Sequence, residues 1–94
     1  MKRQGDILIV MVDAIPQGAA KKTTRVLAEG EATGHAHKLD AGDVYEKYGV
    51  LYFKADEVVR LNHEEHGQLS FEPGVYRVIQ QREYEPEGWR NVED

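Results

Sequence analysis

Helical periodicity is nearly absent from this chain; short runs rich in Val, Ile, Leu, Tyr and Thr follow one another, separated by Gly, Pro and Asp. Short apolar runs bounded by frequent turn signals predict an all-β fold, either a small single-domain barrel or a compact sandwich. Strands are expected at Asp6 to Val12, Thr23 to Ala28, His35 to Leu39, Val50 to Ala55, Glu57 to His63 and Val75 to Arg82, with shorter pieces at Val44 to Glu46 and Gln68 to Phe71. Turns are marked by Pro16 and Gly18, Glu29-Gly30, Ala41-Gly42-Asp43, Tyr48-Gly49 and Glu72-Pro73-Gly74, where Gly supplies positive φ and Pro presets the first turn position.

Two strands stand apart by pattern. Ile7 to Val12 is apolar at both parities and should be covered on both faces, as a central strand or a strand at a subunit contact would be. Tyr76, Arg77, Gln80, Gln81, Arg82 and Tyr84 make the last strand polar and long-armed, which an edge strand explains most simply. The functional rival for that strand is an RNA-associated surface, with tyrosines stacking on bases and arginines gripping phosphate.

Size and composition narrow the chemistry. With 94 residues there is room for one core, here assigned to residues 1–82, followed by an acidic tail over 83–94 in which Trp89 is a packing anchor. A domain of this size gains from a metal or a partner subunit, so a homo-oligomer is expected. The absence of cysteine removes disulfides, thiolate zinc sites, iron–sulfur clusters and cysteine nucleophiles together. A net charge of −5, with no basic run longer than two residues, disfavours a nucleic-acid partner. The apolar run after Met1 is too short for a signal segment or a membrane span, so the chain reads as cytoplasmic. No Walker or Gly-x-Gly-x-x-Gly pattern occurs, and the single serine, Ser70, has no nucleophile-elbow setting.

The candidate chemistry lies in the four histidines, which fall into two pairs: Gly34-His35-Ala36-His37 and His63-Glu64-Glu65-His66. Strand alternation puts His35, His37 and Leu39 on one face and Ala36 and Lys38 on the other; the same count aligns His63 with Val59 and Leu61. Lys38 should meet water, so His35, His37 and His63 turn inward. Each desolvated imidazole brings two nitrogens that need partners, and a metal ion satisfies one of them while fixing the tautomer of the other. His66 joins the set if the turn after His63 carries it back. With imidazole and oxygen donors only, a divalent transition metal is expected, with Zn or Fe(II) first. Four protein ligands would make a closed structural site, and three with an open position a reactive one. In the reactive case Glu65, between the proposed ligands, is the candidate general base for a hydrolase or oxygenase acting on a small molecule. Glu29 and Glu31 are read as solvated turn carboxylates. The alternative use of clustered imidazoles is a pH switch.

His35-Ala36-His37 on a strand, a later histidine, and Gly-punctuated strands ending in Glu72-Pro73-Gly74-Val75-Tyr76-Arg77-Val78 resemble the metal core of the cupin superfamily, a double-stranded β-helix. That resemblance implies His35 and His37 as the paired ligands, His63 or His66 as the later histidine, and Asp43 or Asp40 as the acidic ligand. The chain is short for a full cupin barrel. Gln4-Gly5-Asp6-Ile7-Leu8, Thr33-Gly34-His35-Ala36-His37, His63-Glu64-Glu65-His66 and Gln81-Arg82-Glu83-Tyr84 also resemble, over nearly the whole chain, a family of short uncharacterised bacterial and phage proteins, which implies one domain and no particular reaction.

Overall fold

Alternating burial follows the sequence pattern closely enough to build the architecture from it. The computed structural model describes residues 1–29 and 35–80, and every regular element in it is a strand. These are β1 (Lys2–Gln4), β2 (Ile7–Val12), β3 (Ala20–Lys21), β4 (Val26–Glu29), β5 (Ala36–Leu39), β6 (Asp43–Lys47), β7 (Val50–Ala55), β8 (Val59–Asn62), β9 (Leu69–Phe71) and β10 (Gly74–Gln80). They form a six-stranded sheet in the order β1-β2-β10-β7-β6-β3 and a four-stranded sheet in the order β4-β5-β8-β9. All pairings are antiparallel. Among the described residues the strands do not close into a barrel.

The two sheets share one core. Ile7, Ile9, Val44, Phe53 and Val78 come from the larger sheet, and Leu27, Leu39, Val59, Leu61 and Phe71 from the smaller. An aromatic cluster ties them: the Phe53 ring lies 4.9 Å from Tyr76 and 5.5 Å from Phe71, the latter edge-on. Edge-to-face and offset geometries match positive ring edges to negative faces, adding to the area these rings bury. Tyr76 keeps its hydroxyl satisfied by donating to the Glu72 carbonyl at 2.7 Å.

Two expectations about strand position change. β10 is an interior strand, paired with β2 on one side and β7 on the other, so the edge assignment fails. Its long polar arms have a simpler cause: Arg77 and Gln80 are exposed, while Tyr76 and Val78 point into the core. β2 is flanked by β1 and β10 but is buried on one face only, through Ile7 and Ile9; Leu8 and Val10 are half-buried and Met11 is 63% exposed. β1 and β3 were not expected, since three and two residues are too few to display a period. Gln81 to Asp94, including Arg82, Tyr84 and Trp89, lie outside the described residues, as do Gly30 to Gly34.

The packing makes a direct prediction. Phe53→Ala removes the ring at the centre of the aromatic cluster and is expected to cost about 3–5 kcal/mol in urea denaturation. Met11→Ala, at an exposed site, should stay within about 0.5 kcal/mol.

Candidate functional site

The two histidine motifs meet because of strand register. β5 pairs with β8 through Lys38 with Asn62 and Leu39 with Leu61. Continuing that antiparallel register beyond the ladder sets His37 opposite His63, Ala36 opposite Glu64 and His35 opposite Glu65, and side-chain contacts follow the same order. The His37 and His63 ring centroids are 4.3 Å apart; Glu64 Oε1 accepts from the Ala36 N–H at 3.0 Å; His35 Nδ1 lies 3.4 Å from Glu65 Oε2. Cross-strand neighbours approach this closely in any antiparallel pair, so the spacing of both motifs becomes a single cluster. The N–H of Ala36 holds the Glu64 carboxyl below its ordinary range.

The turn after His63 brings in the fourth ring. The Glu65 N–H donates to His63 Nδ1 at 3.0 Å, and His66 folds back so that its ring lies 4.6 Å from His63 and 6.1 Å from His37, nearly parallel to the latter at 8°. His35 lies 5.8 Å from His63. His37 is buried at 1% exposure, His35 and His63 are half-buried, and His66 is exposed at the open side. Because His63 Nδ1 accepts this hydrogen bond, its neutral ring carries hydrogen on Nε2. In the side-chain positions as they stand, no three His, Asp or Glu groups among the described residues converge at metal-binding spacing.

The hairpin of β1 and β2 closes this cluster from the other sheet, and its residues were not among the expected site residues. Gln4, 2% exposed, donates from Nε2 to the Leu61 carbonyl at 3.0 Å and to the Gly67 carbonyl at 2.8 Å. Both amide hydrogens are then spent, so Oε1 faces His37 Nδ1 at 2.8 Å as acceptor. His37 therefore carries its hydrogen on Nδ1 and turns Nε2 toward Asp6 Oδ1, 3.2 Å away. The other Asp6 oxygen accepts from Gln80 Nε2 at 2.9 Å. Between these residues Gly5 adopts φ of +58°, and a Cβ there would stand 2.8 Å from His66 Nε2 and 3.1 Å from His37 Cε1. Only glycine admits both the backbone conformation and the two rings.

Other expected carboxylates are engaged elsewhere. Asp40 accepts from the Arg60 N–H at 2.9 Å and Asp43 lies 3.4 Å from Lys21 Nζ, so neither faces the histidines as the cupin resemblance implied. Glu29 is exposed at the end of β4, and Glu31 lies outside the described residues. Gln4 and Asp6 left a faint sequence signal, two polar residues around a glycine before an apolar run. That pattern marks a turn, but burial of a glutamine amide follows only from the packing of two sheets.

Titration of the site has a definite sign. Burial, reinforced by the neighbouring His63, holds His37 below its ordinary 6.5, against the opposing pull of Asp6. Asp6 itself lies below its usual 3.8, with hydrogen bonds from Gln80 and the backbone outweighing its partial burial. Both folded values are lowered, so the unfolded chain takes up protons first and stability falls as pH drops. In chelator-treated protein the melting temperature should decline as pH falls below about 6.5, and again below about 3.8. His37→Asn should flatten the upper part of that decline. Gln4→Leu keeps bulk but strands two carbonyls and an imidazole N–H; a loss of about 1–3 kcal/mol in chemical denaturation is expected, against almost none for exposed Arg3→Ala.

No helix among the described residues is long and apolar enough to cross a membrane. No curated protein and no solved structure matches this chain. A family pattern described as a domain of unknown function, DUF8820, matches residues 3–81, a span that holds all four histidines and all of the β1–β2 hairpin but Lys2. The chain therefore belongs to the DUF8820 family.

Proposed function

We propose that this chain is a small metal-binding β protein whose histidine cluster holds one divalent transition ion, Zn or Fe(II), in a binding or assembly role. The observation that carries this reading is that every histidine in the chain belongs to one cluster, with neighbouring centroids 4.3 to 6.1 Å apart. Imidazoles that share one ion through bonds of about 2.1 Å have centroids roughly 4.5–5.2 Å apart, so the closest pairs have nearly the right separation once His63 gives up its Glu65 N–H contact, and the outer pairs need a side-chain rotation. The two-sheet arrangement is read as a compact sandwich, and the cupin-like character as confined to the His35-Ala36-His37 step.

A homo-oligomer is supported by the outer face of the larger sheet, where Leu8, Val10, Val12, Val75 and Ile79 stay half-buried beside one another. A second reading, a metal-dependent hydrolase or oxygenase on a small molecule, is favoured by the open side of the cluster. His66 and Glu65 are exposed there, beside a shallow cavity of about 240 Å³ lined by Ala36, Asn62, His63 and Glu64. Glu65 would then act as the base. The RNA-associated alternative loses one of its stacking residues, since the Tyr76 ring belongs to the core.

Elemental analysis of purified protein, with melts before and after chelation, tests the proposal. A stoichiometric transition metal is expected, contributing about 2.7 kcal/mol of stability when the free ion stands a hundredfold above its Kd. Replacing His37 and His66 together by alanine should abolish the difference between the two melts. Absence of metal, together with melting that neither chelation nor the double substitution changes, would overturn it.

A further inference from the structure

We infer that Asp6, from the opposite sheet, is a metal ligand, with Asp6 Oδ1 and His37 Nε2 forming the two-point seat of the ion and Gln4 positioning the imidazole. The inference rests on the metal reading above and adds a residue, a donor type and a structural consequence to it.

The argument begins at the Gln4 amide. Its two hydrogens are committed to the Leu61 and Gly67 carbonyls, so its oxygen can only accept, and His37 Nδ1 must donate. The lone pair of a neutral His37 is then on Nε2, aimed at a carboxylate oxygen 3.2 Å away. Two acceptors at that distance repel unless a cation lies between them. Below the pKa of His37 a proton on Nε2 supplies that cation as an N–H···O bond; on the neutral ring a metal ion can take its place. Two cis ligands of one ion, each bonded at about 2.1 Å and separated by 90–110°, stand roughly 3.0–3.4 Å apart. The observed 3.2 Å falls within that range.

The surroundings fit the same assignment. Gln80 donates to Asp6 Oδ2, leaving Oδ1 directed at His37, as hydrogen-bonded carboxylate ligands are commonly oriented. His66 lies on the same side: its Nε2 and His37 Cε1 both crowd the space a Gly5 side chain would fill. Among the described residues neither ring nitrogen of His66 has a hydrogen-bond partner, whereas His63 Nδ1 is committed to the Glu65 N–H. His66 is therefore the readiest third donor. Imidazole plus carboxylate suits Zn(II), Fe(II), Mn(II) or Co(II) over a thiophilic ion such as Cu(I). Asp6 belongs to the larger sheet's hairpin and His37 to the smaller sheet, so an ion on this seat pins one sheet to the other.

The test titrates metal-stripped protein with Co²⁺ and Zn²⁺, following calorimetry and the visible Co²⁺ spectrum. Asp6→Asn is nearly isosteric and can still accept from Gln80; it should weaken binding by about a hundredfold and alter the spectrum, as should His37→Asn. If Asp6→Asn binds with unchanged affinity and spectrum while His37→Asn does not, the Asp6 assignment is overturned and the histidine reading stands. If the unmutated protein binds neither ion, both fall. Should Asp6→Asn fail to fold, the unmutated protein decides: Zn²⁺ should shift the carboxyl carbon resonance of Asp6, and an unmoved resonance overturns the inference.

Discussion

The buried amide of Gln4 holds together what the two sheets alone would leave apart. Its nitrogen reaches the carbonyls of Leu61 and Gly67, on either side of the His63-to-His66 turn, and its oxygen takes the His37 N–H. A side chain with this little exposure must satisfy every polar atom or destabilise the fold, and all three partners belong to the smaller sheet or its turn. Lys2 reinforces the strap by donating to the Ser70 carbonyl and lying over the Phe71 ring. The β1–β2 hairpin thus spans the gap between sheets at the place where the histidines gather.

From that strap the character of the site follows. Once the Gln4 oxygen selects the His37 tautomer, the opposite ring nitrogen is available and faces Asp6. Once Gly5 removes a side chain, two imidazoles pack against the hairpin backbone. One end of the cluster is closed by core packing, and the other, with His66 and Glu65, opens to solvent. Under the proposed metal reading, such a site would hold an ion by protein donors on one side and leave the other to exchangeable water.

How much of this was legible in the sequence varies by element, for physical reasons. Side-chain alternation has a period fixed by strand geometry, so burial of His37 and Leu39, exposure of Lys38, and the buried Val59 and Leu61 followed from counting. β7 could be placed because its run is apolar and sharply bounded by Tyr48-Gly49 and Asp56. β10 was misplaced because long polar side chains appear on the outer face of an interior strand as readily as at an edge; only its hydrogen-bonded neighbours distinguish the two. The hairpin strand β1 has no sequence signature because three mostly charged residues carry no pattern.

The sequence by itself determined that the chain is all-β, that its candidate donors, in the absence of thiols, are imidazole and carboxylate, and that His37 turns inward. These depend on composition and on the two-residue period, which are local. The tertiary structure decided which carboxylate faces His37. Asp40 and Asp43, nearer in sequence, pair with Arg60 and Lys21, whereas Asp6, 31 residues from His37, stands beside its ring. That choice depends on the β5–β8 register and on one sheet's hairpin crossing to the other, and long-range pairing of this kind leaves no periodic trace along a single chain.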